Sequence, residues 1–255
     1  MEGLKRHSFQ GVTNIIRFNW HFYVIALSFT VIFFATKKYL PQSFATILLL
    51  LVLLSILGII TSLIISFYIY DRSDLYSLKW LNFLNIGSNK KIVNINAGFD
   101  EISLLLKEKY PDSTLAVYDF YDPAKHTEIS IERARKAYPP LSETIKISTD
   151  NVSIESDSID YIFLVFAAHE IRNDQERINF FQHLSKSLRK DGRIIIAEHQ
   201  RAINNFIAYN IGFLHFLPSG VWCNTFEQAG LTKESITTHT PFITIYVLKK
   251  NGSTT

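Results

Sequence analysis

The sequence has a single cysteine, Cys223, so it can form no internal disulfide and offers no cysteine-based metal centre. That usage suits a reducing compartment. It has no G-x-G-x-x-G run, which disfavours a conventional dinucleotide site. No H-x-x-x-H or comparable spacing supports a metal, and none is expected. The 26 Lys and Arg nearly balance the 23 Asp and Glu, and no dense basic stripe marks a nucleic-acid surface. Residues 44–70 contain no charged side chain at all.

What is present is unevenly spread. Hydrophobic residues make up 47% of the chain and crowd into its first third. Two apolar runs, about 19–36 and 44–70, flank the short polar turn "TKKYLPQS". A membrane-crossing helix needs about 20 apolar residues, which the second run exceeds. The first gains length if the upstream "NIIRFN" joins it, with Arg17 snorkelling toward headgroups. No A-x-A-like site follows, which argues against a cleaved signal peptide. A buried helical pair in a soluble protein is the other alternative, disfavoured because neither run has a polar face. Residues 1–72 therefore read as a transmembrane helical hairpin. Lys5, Arg6, Arg17, Arg72 and Lys79 on the outer flanks outnumber Lys37 and Lys38 in the turn. That bias puts both ends, and whatever follows, in the cytoplasm.

After a polar, amphipathic linker at 73–89, residues 90–255 alternate strand and helix. Strands are expected at "KIVNI" (91–95), "STLAVYD", "TIKIST", "IDYIFLVFA", "RIIIAEH" and "FITIYVLKK". Helices are expected at 100–109, at "TEISIERARKAY" with Thr127 as N-cap, at 173–191 with Gly192 just past the end, and from "NTFEQAG". Such alternation means a doubly wound, mostly parallel sheet, whose ligands bind outside the carboxyl ends of the strands. Those ends carry Asn96-Ala97-Gly98-Phe99-Asp100, Asp119-Phe120-Tyr121, Asp150-Asn151, Ala168-His169-Glu170 and Glu198-His199.

In order and spacing these pieces resemble class I S-adenosylmethionine-dependent methyltransferases, a Rossmann-like family, over residues 88 to about 249. "STDNVSIESDSIDYIFLVFAAHEI" resembles the family's third and fourth strands. "LSKSLRKDGRIIIAEH" resembles its helix, glycine turn and fifth strand, and "FEQAGL" the helix before its last two strands. "AGFDE", "DFYDP" and "AAHEIR" look like a membrane-attached subgroup. The first loop departs from the family. Where the family has a strand acid and G-x-G-x-G, this chain has Asn94, Asn96, Gly98 and Asp100. An Asn amide oxygen still accepts from an ammonium, and Asp100 adds a charge suited to a sulfonium or ammonium.

The resemblance implies S-adenosyl-L-methionine as cofactor. Asp119 would hold the ribose hydroxyls and Phe120 would pack near the adenine. Asp150 would accept from the adenine amino group, with Asn151 beside it. Asn94, Asn96 and Gly98 would line the methionine portion, and Phe166 and Ala167 would lie beneath the sulfonium. His169 is the expected general base, with Glu170 orienting it or pairing with Arg172; Glu198 and His199 form a second candidate pair. Arg133, Arg135 and Lys136 read as a solvated helix face, or one touching anionic headgroups. Residues 201–222, "RAINNFIAYNIGFLHFLPSGVW", read as an apolar lid over an acceptor pocket. An apolar lid beside a membrane hairpin implies a lipophilic small-molecule acceptor, methylated on a phenol or hydroxyl oxygen, with N-methylation second. Two other readings stay open: a catalytically inactive membrane scaffold, and a dinucleotide oxidoreductase on a similar sheet.

Overall fold

The computed structural model describes residues 6–252. The chain opens with α1 (Gln10–Phe18), α2 (Trp20–Thr36) and α3 (Gln42–Phe67). Then come β1 (Lys91–Asn96), α4 (Ser103–Lys109), β2 (Thr114–Asp119), α5 (Ile129–Ala137), β3 (Ile145–Lys146) and β4 (Ile159–Val165). The rest is α6 (Asp174–Ser187), β5 (Leu188–His199), α7 (Ile203–Tyr209), α8 (Ser219–Gln228), β6 (Leu231–His239) and β7 (Ile243–Lys250).

The sheet order is β3-β2-β1-β4-β5-β7-β6. β1 to β5 are parallel, and β7 runs antiparallel to both β5 and β6. β4 sits centrally because "IDYIFLV" has apolar residues for both faces. One face is covered by Phe180, Phe181 and Leu184 of α6 and by Trp222 and Phe226 of α8. The other is covered by Ile102 and Leu106 around α4, and by Ile69, Leu75, Leu78 and Leu81. Strand order reverses between β1 and β4, which places the crevice at their carboxyl ends.

Several expectations change in detail. The stretch 14–19 does not lengthen the first apolar run. Residues 14–18 belong to the separate α1, and the Asn19 side chain donates to the Ile15 carbonyl at 3.0 Å where the chain turns between α1 and α2. The 73–89 segment is packed rather than a free tether, because Leu75, Leu78 and Leu81 are buried on the sheet. The "TIKIST" strand shrinks to Ile145–Lys146 at the sheet edge. Thr127 caps nothing: α5 follows Glu128, with no side-chain cap. α6 starts as expected, with Asn173 accepting from the Glu176 N–H, but ends at Ser187. Leu188 is extended and begins β5, so Gly192 lies within that strand, in the irregular stretch of its pairing with β4. A Cβ at Gly192 would come within 2.8 Å of the Ile159 carbonyl oxygen.

Two helical stretches, Trp20–Tyr39 and Gln42–Ser77, are long and apolar enough to cross a membrane. Only 6% of each apolar window is covered by protein, unlike a core helix.

Candidate functional site

A cavity of about 250 Å³ opens at the carboxyl ends of β1, β4 and β5. Its floor is Asn94, Ile95, Asn96 and Ala97 of β1 and its loop, and Val165 and Phe166 after β4. α1 forms a wall through Asn14, Ile15 and Phe18. Tyr70, just past α3, lines it too. The N-terminal region therefore builds part of the site. α1 is fixed there by Asp71, whose carboxylate accepts the N–H groups of Gly11 (2.7 Å) and Val12 (2.9 Å). A Cβ on Gly11 would lie 2.3 Å from Tyr70 Cβ, so only glycine permits this approach.

The β1 loop compensates for its missing glycines with side-chain hydrogen bonds. Asn96 Oδ1 accepts from the Gly98 N–H at 3.0 Å, and its amide donates to the Tyr118 carbonyl. Asn96 thus shapes the loop, and both ends of its amide are already bonded. Asp100 Oδ1 accepts from the backbone of Ile102 and Ser103, and from Asn94 Nδ2 at 3.2 Å. Among the described residues that line the cavity, three buried polar atoms have no partner: the acceptors Asn94 Oδ1 and Asp100 Oδ2 and the donor Asn14 Nδ2. Leaving such acceptors unpaired costs about 1–3 kcal/mol each, which a cationic ligand would recover.

The end of β2 is arranged differently. Asp119 Oδ1 accepts from the Tyr121 N–H at 2.8 Å, and Oδ2 is paired with Arg135 of α5. Arg135 is therefore no solvated-face residue: its guanidinium lies 4.5 Å from the Tyr121 ring centre and reaches the Gly98 carbonyl. The Tyr121 ring occupies the space over Gly98, where an added Cβ would sit 2.9 Å from it and φ is +99°. Phe120 does not face the crevice; it is buried against Phe180 and His126. Asp150 is exposed and 3.6 Å from Lys125, and Asn151 is exposed in the same loop. Gly98, Asp119, Phe120, Asp150 and Asn151 all lie outside the cavity lining, whereas Asn94, Asn96, Phe166, His169, Glu170 and His199 are in it.

The histidines divide sharply. His169 Nδ1 is 2.7 Å from Glu198 Oε2, its backbone N–H donates to Glu198 Oε1, and its Nε2 is 3.2 Å from Glu170. Burial alone would lower its pKa, but the two carboxylates outweigh burial and hold it at about 10. Both ring nitrogens of His169 face carboxylates, an arrangement that favours its protonated form over the free lone pair a base needs. Glu170 orients it and does not pair with Arg172. Burial would raise Glu170, yet bonds from His169 and His215 hold it below the usual carboxylate range. His169, Glu170 and His215 present nitrogen and oxygen atoms within 4.8 Å of one another, a set compatible with a divalent cation. The Arg172 guanidinium already lies against His215 on this side of the cluster.

His199 is the opposite case. Its Nδ1 donates to the Phe242 carbonyl at 2.9 Å, leaving Nε2 as the acceptor. Nε2 receives Tyr70 Oη at 2.9 Å and Tyr209 Oη at 3.2 Å, and the two phenols are 3.0 Å apart. Burial drives its pKa down to about 3, and burial likewise pushes the Tyr209 phenol up. The ring stacks on Phe166 at 4.7 Å, with Phe166 held at φ 51°. A neutral, oriented imidazole in the cavity wall is thus His199. No local pattern announced Tyr70 or α1 as site residues, since both precede the sheet and arrive by tertiary packing.

No family model matches the sequence, and no curated protein matches it. Solved structures do. A SAM-dependent methyltransferase from Methanosarcina mazei aligns over 67% of this chain and 96% of its own, at TM-score 0.50 and 12% identity. One from Aquifex aeolicus aligns over 70% and 92%, at 0.52 and 12%. A chain in the complex between the Haloferax volcanii Trm112 methyltransferase activator and a methyltransferase aligns over 72% and 92%, at 0.54 and 12%. At that identity the likeness is one of fold: this chain has the Rossmann-like fold of SAM-dependent methyltransferases.

Proposed function

We propose that the protein is a membrane-anchored, S-adenosylmethionine-dependent methyltransferase whose acceptor is a lipophilic small molecule. The observation that carries the proposal is the pair of unpartnered buried oxygens, Asn94 Oδ1 and Asp100 Oδ2, at the strand end where the fold binds ligands. Two acceptors and one carboxylate charge suit the ammonium of an amino-acid tail and disfavour an anionic pyrophosphate. When bound, S-adenosylmethionine supplies an electrophilic methyl group. Asn94 and Asp100 would hold its amino-acid end, with Phe166 beside the reacting centre.

The chain's own contribution to the chemistry is positioning and removal of one proton. His199 Nε2, a weak base because of its burial, would accept a proton from a phenol or hydroxyl only where the acceptor displaces Tyr70 and Tyr209 from its single lone pair, and those two hydroxyls mark where an acceptor oxygen would sit. His169, held between Glu170 and Glu198, would act as a positioning residue on the β4 side. Tyr70 and α1 make the hairpin part of the site, which fits an acceptor drawn from the bilayer. The flank charges favour a cytoplasmic catalytic domain.

A second reading, a catalytically inactive membrane scaffold, is favoured by one observation: Arg135 already occupies Asp119, the carboxylate expected to take the ribose. Calorimetric titration of detergent-purified protein with S-adenosylmethionine and with S-adenosylhomocysteine separates the two. Micromolar binding supports the enzyme. Absence of binding by folded protein favours the scaffold.

A further inference from the structure

The segment 202–214, made of α7 and the 3₁₀ turn Asn210–His215 up to Leu214, contains no charged residue. Its apolar side chains do not all turn inward over the cavity. Ile203, Phe206, Ile207, Ile211 and Leu214 are 44–81% exposed. The asparagine amide nitrogens and the Tyr209 hydroxyl all have partners, and Asn205 Oδ1 is buried without one among the described residues. Asn204 donates to the Pro241 carbonyl, and Asn205 to those of Gln200 and Phe242. Tyr209 bonds Tyr70, and Asn210 donates to the Gly58 carbonyl. The backbone is helical almost throughout, so it needs little from solvent. This is the pattern of a surface that meets hydrocarbon.

The Asn210 contact sets its depth. Gly58 lies well inside α3, which runs Gln42–Phe67. A hydrocarbon core of about 30 Å takes up about 20 helical residues, which reach from Phe44 to about Leu63. Gly58 is then about 8 Å below the near edge of the hydrocarbon. That matches the ~5–10 Å to which interfacial helices bury their apolar faces. A Cβ on Gly58 would sit 2.9 Å from Asn210 Oδ1, so the glycine allows the two elements to meet at this level.

We propose that the outer face of residues 202–214 is a second membrane contact, embedded among the acyl chains of the leaflet into which α3 emerges. It rests on the reading of α2 and α3 as membrane spans. The face is continuous with the exposed apolar surface of α3, where Ile56, Leu57, Ile60 and Ile64 point outward. The occupant is therefore lipid. Because Tyr209 and Phe216 of the same lid contact His199, the cavity wall and the bilayer are separated by one layer of side chains.

The test uses full-length protein carrying Cys223→Ser, reconstituted into phosphatidylcholine vesicles. Single cysteines at Ile211, Ile47 or Ile236 carry a polarity-sensitive fluorophore. Ile47 on α3 and Ile236 on β6 are both exposed on the protein and serve as the lipid and water references. Quenching is read with spin labels near the headgroup end of the acyl chain, and with aqueous iodide. The expected result is strong lipid quenching at Ile211 and Ile47, with iodide quenching confined to Ile236. Iodide quenching at Ile211, with Ile47 still lipid-quenched, would overturn the proposal while leaving the hairpin intact. Shielding of Ile211 from both quenchers would also overturn it, by indicating a protein partner or a second copy. Loss of lipid quenching at Ile47 as well would remove the membrane reading itself. None of these outcomes depends on cofactor binding or methyl transfer.

Discussion

At the carboxyl end of β1, Asn94 and Asp100 hold two acceptor oxygens that no described residue uses; at the end of the neighbouring β2, both oxygens of Asp119 are engaged. The β1, β4 and β5 half of the crevice is a cavity with oriented, titratable walls. Beside β2, Tyr121 and Arg135 fill the space next to Asp119, and a separate opening of about 420 Å³ lies at the β3 edge, lined by Tyr118, Ser148 and Asn151. The same fold rule predicts polar groups at every strand end, yet a strand-end carboxylate is an open subsite only if nothing nearby is cationic. Here an arginine one helix away competes for the place a ribose would take.

The sharpest way to test the open half is His199→Gln. A lost general base costs about 10²- to 10⁴-fold in kcat. We expect that loss in methyl transfer to a panel of alkyl phenols, with cofactor affinity unchanged; full activity in the variant would remove His199 from the chemistry. With its pKa at about 3, His199 stays neutral across pH 5–8, so it should put no break in the rate profile there.

His169→Gln should act on stability. Breaking a buried ion pair and leaving Glu198 unpaired costs about 3–5 kcal/mol. The sign follows from linkage. His169 is raised from 6.5 to about 10, so its stabilisation is complete below pH 6.5 and is lost as pH rises through 10. His199 is lowered to about 3, so the folded state loses stability as pH falls from 6.5 toward 3. Melting curves of the wild type should decline on both sides of neutrality, and the variant should lack the alkaline part. An unaltered alkaline slope would contradict the imidazolium assignment.

Asp100→Asn keeps the backbone acceptor and removes the charge. A charge-assisted hydrogen bond is worth about 1.5–3 kcal/mol, so cofactor affinity should fall about 10- to 100-fold. The filled space beside Asp119 should respond in the other direction and less. Arg135→Gln frees Asp119, and affinity should rise by up to about tenfold, an effect of about 1.4 kcal/mol. A fall in affinity would mean that Arg135 supports the Gly98 loop instead of blocking it.

The sheet was legible from alternation and from apolar runs such as "IDYIFLV", because strand period and burial leave a local imprint. The helix end at Ser187 was not, since "LRKDG" reads as a helix terminus until β4 claims Leu188 as a partner. Strand-end positions singled out both histidines, but their protonation depends on neighbours from other elements: Glu198 for His169, and Tyr70 and Phe242 for His199. Phe120 was assigned to the wrong side because adjacent strand-end residues point to opposite faces, and Tyr121 is the one over Gly98. The role of α1 and Tyr70 left no local signal, because it arises only when the hairpin folds back on the sheet.

The most direct measurement is a calorimetric titration of S-adenosylhomocysteine into wild-type, Asp100→Asn and Arg135→Gln proteins in detergent. The account predicts micromolar binding by the wild type, weaker binding by Asp100→Asn and tighter binding by Arg135→Gln. Absence of heat with all three folded proteins would contradict it, because neither the open oxygens at β1 nor the freed carboxylate at β2 would then constitute a cofactor site.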